Sequence, residues 1–258
     1  MDEVAVYPIT QATTATFTDL YLRLTFLFFI QAGAKKVLTP KQDLIGSEGD
    51  LLVFQAGSLV TMENRPVLDR GYRALGVAFP DEMVRRVFGE RGEPATTGPI
   101  HLVRAEPDRP LQLLPLLQDT LDNPALPRAI RSHRLMEPLL WLRELGLHIP
   151  TQREETPLSR VRRLIEADPG RDWRAVEVAA ELAMSGATMR RQLARSGQGF
   201  AKVLLHTRLE RGLTLLQTTD GPISDIALSC GFKTPSHFSD AFRTRFGIRP
   251  RDIRTAAG

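Results

Sequence analysis

The chain has 258 residues, 42% hydrophobic and 25% charged, with a formal net charge of +4. That composition excludes a wholly disordered or fibrous chain and suits one large domain or two modest ones. A single cysteine, Cys230, excludes an intramolecular disulfide and a zinc site made only of this chain's thiolates.

The first residues, Met1-Asp2-Glu3, are acidic where a secretory signal would be basic. The longest aliphatic-aromatic stretch, Phe26 to Ile30, is far shorter than the ~20 residues of a membrane span. A cytoplasmic protein with no membrane partner is expected. Leu20 to Ile30 reads as a strand, and Gln31 to Ala34 as a turn. Leu51–Phe54, Leu59–Met62 and Tyr72–Phe79 follow as short strands, punctuated by Gly46, Gly49, Gly57 and Gly71. Such spacing suggests a barrel or sandwich.

From Pro80 the pattern turns helical. Asp81 to Phe88 has acid first, base later, and Gly89 as a stop. Two longer helices are expected near 108–122 and 125–147. In the second, Leu135, Leu139, Leu142 and Leu145 form one apolar stripe. The stripe is expected to pack on the chain's own barrel, leaving the helices' outer face for a homodimer. Residues 148–156, with Pro150 and Glu154-Glu155, read as a linker between residues 1–147 and 157–258.

Charge divides at the same place. Residues 1–156 carry 17 Lys+Arg and 20 Asp+Glu, whereas residues 157–258 carry 17 and 10. Of the latter cations only Lys202 and Lys233 are not arginine. Arginine's rigid fork suits phosphate and guanine edges, so this half is a candidate for nucleic acid.

Within it, Val178, Ala179 and Leu182 form a short helix face, and Met184 to Ala187 break it. Ser185 can cap a second helix that buries Met189 and Leu193, with Thr188, Arg190, Arg191 and Arg195 largely outward. Helix, tight turn and basic helix make a helix-turn-helix pattern. The pattern then repeats. Ile223, Ile226 and Ala227 form a face, Ser229 to Phe232 a turn, and Thr234-Pro235 a cap and first helical position. Phe238 and Phe242 point inward; Lys233, Ser236, His237, Asp240 and Arg243 can point outward. An amphipathic helix from Phe200 to Gln217 joins the copies and can fix their spacing. Two such units suggest two major-groove insertions about one turn, ~34 Å, apart. A plain helical bundle with a basic surface is the competing reading.

Residues 157–258 resemble the DNA-binding domain of AraC/XylS-type bacterial transcription regulators. The resemblance is carried by Pro222 to Phe232, Ser236 to Ser239, Phe242-Arg243, Phe246-Gly247 and Pro250. Ala179, Leu182, Ser185, Arg191, Gly197, Phe200 and Arg208-Leu209 match more loosely. It implies a seven-helix domain with a recognition helix in each unit, and most often an activator that contacts RNA polymerase. Three residues depart from the pattern: Asp240 where a base is common, Gly212 where alanine is usual, and Ile253 where an aromatic is common.

Gly49 to Asn64 is similar to the second strand motif of cupin barrels, with Val60 where the metal histidine usually stands and Gln55 for the usual proline. No metal and no cofactor are expected. The resemblance implies a sensing or dimerisation role. A small effector or a packed barrel fits equally, and Lys35, Lys36 and Lys41 could hold a carboxylate.

The expected architecture is α+β: a cupin-like β-barrel with helices, then an all-α domain of two helix-turn-helix units joined by a helix. The expected function is regulation of transcription at double-stranded promoter DNA, with no catalytic residues. Thr188, Arg190, Ser236 and His237 are expected to read bases. Arg191, Arg195, Lys233 and Arg243 are expected to hold phosphates, with Thr234 beside them. The alternatives are a regulator controlled by a protein partner without a small ligand, and a non-metal cupin-type enzyme fused to a DNA-binding domain. An RNA binder would need exposed stacking aromatics that the chain lacks.

Overall fold

The computed structural model describes residues 4–39, 43–89, 99–105, 113–150 and 155–255. Lys41, the start of the helix expected near 108, and residues 151–154 of the expected linker lie outside them. The chain divides into two compact units, Met1–Arg153 and Glu154–Gly258.

Among the described residues the first unit has nine strands: β1 (Ala5–Gln11), β2 (Ala15–Leu22), β3 (Thr25–Ala32), β4 (Ala34–Leu38), β5 (Leu44–Ser47), β6 (Leu51–Phe54), β7 (Ser58–Arg65), β8 (Tyr72–Phe79) and β9 (Ile100–Val103). They form two antiparallel sheets, one ordered β1-β8-β3-β6-β9 and the other β2-β7-β4-β5. The helices α1 (Asp81–Phe88), α2 (Leu113–Asp122) and α3 (Arg128–Glu144) complete it.

The five-stranded sheet is buried on both faces. One face sends Leu27, Phe29, Leu51, Val53, Leu75 and Val77 into a core shared with Val84, Val87, Leu117, Leu135, Leu139 and Leu142 of the helices. The leucine stripe therefore packs on the chain's own sheet. The other face meets the second sheet, where Gly46 lies against Ile30, Leu52 and Leu102. A strand buried on both sides shows a continuous apolar run rather than alternation, which is why Phe26–Ile30 and Leu51–Phe54 are so uniformly hydrophobic.

The strand expected over Leu20–Ile30 is two strands in different sheets. Leu22 pairs with Ser58 in one sheet, and Thr25 with Phe79 in the other. The expected turn at Gln31–Ala34 is likewise a crossing between sheets, from β3 into β4.

Among the described residues every regular element of the second unit is a helix: α4 (Pro157–Ala167), α5 (Ala175–Glu181), α6 (Gly186–Arg195), α7 (Phe200–Thr218), α8 (Ile223–Ser229), α9 (Pro235–Phe246) and α10 (Pro250–Arg254). Its first core joins Val161 and Ile165 of α4 to Val178, Ala179, Leu182, Met189, Leu193 and Val203. Beyond α7, along the buried side of α9, the Phe238 ring meets Phe242 at a tilt and Phe242 meets Phe246 edge-on.

Gly212 in α7 is a packing requirement. A Cβ there would lie 2.7 and 2.9 Å from the Phe238 ring, which is itself fully buried. Helix propensity alone would give Gly212→Ala a gain of ~1 kcal/mol. The Phe238 contact reverses the sign, and urea unfolding should show a loss of about 1–3 kcal/mol. Gly186→Ala, where nothing lies within 4 Å, should lose nothing in the same assay.

Candidate functional site

The same turn is built twice. After α5, Ala183 N–H donates to the Ala180 carbonyl at 2.9 Å and Met184 N–H to the Ala179 carbonyl at 2.9 Å. After α8, Gly231 N–H donates to the Leu228 carbonyl at 2.9 Å and Phe232 N–H to the Ala227 carbonyl at 3.0 Å. Both centre on a left-handed residue, Ala183 at φ 54° and Gly231 at φ 80°. Alanine tolerates that region poorly; the two copies share a geometry, not a residue. Gly231 also packs against Arg208 and the Pro169 carbonyl.

Each second helix then starts on a hydroxyl cap. Ser185 Oγ accepts from Thr188 N–H at 3.1 Å, and Thr234 Oγ1 from His237 N–H at 3.2 Å. Thr234 is thus engaged as a cap, and Thr188 Oγ1 lies 2.9 Å from Ser185 Oγ.

On α6, Met189 and Leu193 are buried, while Arg190, Arg191 and Arg195 are exposed. At about 100° per residue, Thr188, Arg191 and Arg195 share one stripe, and Arg190 lies on the flank beside Ala187 and Ala194. On α9, Ser236, Asp240 and Arg243 share the exposed stripe. His237 is exposed at its edge, its ring 5.5 Å from Phe232. Lys233 is exposed in the turn. Ser239, Asp240 and Arg243 line a shallow cleft with Ile223, Arg249, Pro250 and Arg251. Sequence reasoning missed Arg249 and Arg251; the Arg-Pro-Arg run at the start of α10 was the available signal.

Cys230 is fully buried at the end of α8, and burial pushes its thiol up. No group of three metal-ligating side chains occurs among the described residues, and no described helix is long and apolar enough to cross a membrane.

In the first unit Lys35 and Lys36 are separated by strand geometry. Neighbours on β4, they point to opposite faces. Lys36 pairs with Asp43 at 2.7 Å and stays partly exposed. Lys35 is 1% exposed, between the sheets. Its Nζ donates to Asn64 Oδ1, lies 3.4 Å from Met62 Sδ, and sits 4.4 and 5.1 Å from the Phe28 and Tyr72 ring centres. Asn64 in turn donates to Gln11 at 2.9 Å. Burial pushes the Lys35 ammonium down to about 7. The Tyr72 hydroxyl is buried without a hydrogen-bond partner among the described residues, and burial pushes its ionisation up. The sequence signal was the parity of Lys35 with Val37, which is fully buried.

Comparison with known proteins follows this division. A helix-turn-helix domain family matches residues 178–256. The transcriptional regulator SirC of Salmonella typhimurium is 37% identical over 95 residues, 37% of this chain and 32% of SirC. The ornithine utilization regulator of Pseudomonas aeruginosa is 43% identical over 104 residues, 40% of this chain and 30% of that protein. The transcriptional activator RhaS of Klebsiella pneumoniae is 33% identical over 127 residues, 49% of this chain and 46% of RhaS. The chain therefore spans between about a third and a half of these curated relatives. Across both units its fold is similar to ToxT from Vibrio cholerae O395, at TM-score 0.66 and 16% identity, covering 98% of each chain. An unsaturated fatty acid-bound ToxT aligns at TM-score 0.62 and 15% identity, over 96% of this chain and 92% of that one. The family match thus covers the duplicated helix-turn-helix unit, and over part of its length the chain is similar to these transcription regulators.

Proposed function

We propose that the protein is a cytoplasmic, sequence-specific DNA-binding regulator, acting as an activator that contacts RNA polymerase at promoter DNA. The observation that carries this is the turn built twice on one basic unit, each copy followed by a capped helix with an exposed polar face. In this reading residues 157–258 bind DNA, residues 148–156 are the linker, and residues 1–147 sense and dimerise, the latter through the outer face of α2 and α3. Thr188 and Arg190 read bases in the first unit, Ser236 and His237 in the second. Arg191, Arg195, Lys233 and Arg243 hold phosphates. Thr234 acts on DNA chiefly by fixing the start of α9.

The regulated step is the occupancy of the first unit. ToxT is described with an unsaturated fatty acid bound. Here the buried Lys35 ammonium meets the neutral groups Asn64, Met62, Phe28 and Tyr72, which suits the carboxylate of a small apolar acid. Control by a protein partner alone is the second reading, and the ligand test separates them.

Selection from random duplex DNA at fixed salt should return a two-part motif with centres about one turn, ~10 bp, apart. Arg190→Ala should relax one position by ~1–3 kcal/mol, whereas Arg195→Ala should weaken all sequences alike and lower the salt slope by ~1. Equal loss on every sequence would remove Arg190 from the reading role.

Oleate at about 100 times its Kd should stabilise the protein by ~2.7 kcal/mol, and Lys35→Met should lose that gain. Oleate without effect on either protein would favour the partner-controlled reading. The same variant isolates the lysine's proton linkage. Folded Lys35 releases a proton near pH 7 that the unfolded chain keeps to about 10.5. Its contribution is therefore least favourable below pH 7 and improves as pH rises. Between pH 7 and 9, wild-type stability should climb relative to Lys35→Met by up to ~1.4 kcal/mol per pH unit.

A further inference from the structure

The second unit contains a charged cluster that the DNA-reading residues leave unused. Glu210 stands in the middle of α7, its side chain 15% exposed. One carboxylate oxygen accepts from Arg162 of α4, the other from Arg245 of α9. These arginine side chains are 1% and 7% exposed. Two guanidinium groups from two other helices thus meet on one carboxylate of α7.

The helices concerned are those whose relation matters for reading. Arg245 lies on the inner side of α9, opposite the stripe of Ser236, Asp240 and Arg243. Arg162 lies on α4, whose Val161 and Ile165 share a core with Met189 and Leu193 beneath the exposed face of α6. The connection runs from α6 through α4 to Arg162, Glu210, Arg245 and α9. Apolar packing alone is non-directional and permits small slides. A carboxylate held from both sides by guanidinium groups is directional and permits few.

Energetics argue against a merely stabilising role. Buried ion triads are commonly no more stabilising than apolar groups of the same volume, because desolvation offsets attraction. In some proteins what such groups supply is a defined arrangement. His206, one turn before Glu210 on α7, adds no charge: burial first, then Arg245, Lys202 and Arg162, push it down to about 4.

We propose that Glu210, gripped by Arg162 and Arg245, is the positioning residue that sets the distance between α6 and α9. It thereby fixes the half-site spacing that the protein accepts on DNA. This rests on the reading that both helices enter the major groove.

The test uses the full chain and duplexes carrying both selected half-sites, with the spacer changed one base pair at a time. Each base pair moves the second half-site by ~3.4 Å along the axis and ~35° around it. Wild type should lose about tenfold in affinity for a one-base-pair change, a penalty like that of a mismatched base pair. Glu210→Gln should shrink that penalty to about threefold or less, while affinity for a lone first half-site stays at the wild-type value. A second variant, Arg162→Met with Glu210→Leu and Arg245→Met, replaces the triad by apolar volume and guards against simple unfolding; circular dichroism confirms its helices. It should show the same broadened tolerance. A folded variant that keeps the wild-type spacing profile overturns the proposal. A wild type that binds a single half-site as tightly as two overturns the two-helix reading instead, and the inference with it.

Discussion

Two helix-turn-helix units can act as one only if something rigid separates them, and in this chain the element between them is α7. Its Val203 belongs to the core under α5 and α6, while Gly212 admits the ring of Phe238 from α9. Arg208 reaches sideways to the Pro169 and Arg171 carbonyls at 2.9 and 2.8 Å, fastening the loop ahead of α5. Arg254 of α10 returns to the Leu216, Thr219 and Gly221 carbonyls at the far end of the helix. These arginines point inward at carbonyls, so they do not add to the exposed positive face of α6. The unit's arginine richness therefore has two sources: exposed side chains on α6 and α9, and structural forks around α7. Composition alone merges them.

The first unit solves a different problem. Its five-stranded sheet is sealed by helices on one side and by the second sheet on the other, so nearly every side chain in β3, β6 and β8 is buried. Placing a lysine in such an interior is costly unless it is neutralised or paired. Lys35 finds Asn64, Met62 and two aromatic faces. Those groups lower the cost of the cation without cancelling its charge, and Tyr72 adds a buried hydroxyl with its hydrogen-bonding capacity unused among the described residues. A purely structural position would be served as well by leucine. Retaining an amine there is intelligible if the amine meets something that is present only part of the time.

The helical half was legible from the residues themselves. Capping hydroxyls, Pro235 at a first turn, and apolar positions at three- and four-residue spacing have local causes, and the elements lie where those causes put them. The sheet half was legible only where burial leaves a uniform run, as in Leu51–Phe54 and Tyr72–Phe79. β1, β4, β5 and β9 escaped because Pro8, two lysines, Gly46 and short length hide them. Pro8 is tolerated because β1 is an edge strand. The break between β2 and β3 escaped for another reason: no turn residue marks it, and only the pairing of Leu22 and Thr25 in different sheets reveals it. The sites followed the same rule. Exposed helix residues could be placed by periodicity, whereas the triad around Glu210 depends on long-range contacts that no spacing encodes.

The two exposed helix faces are not equivalent, and Asp240 is the clearest mark of it. On α6 the outward charges are all positive. On α9 an acid sits between Ser236 and Arg243, at the edge of a cleft that also holds Arg249 and Arg251. An isolated carboxylate against the phosphate backbone is repelled. Here three guanidinium groups share the same cleft, so the local field need not be negative, and a carboxylate can accept from the exocyclic amine of cytosine. In the proposed reading both helices discriminate bases, α6 through Thr188 and Arg190 and α9 through Ser236 and His237, and Asp240 would add an acceptor that only some base pairs satisfy. A spacing held by Glu210 would couple the two, because the grip of the first helix then brings the second to a base pair it must either accept or refuse.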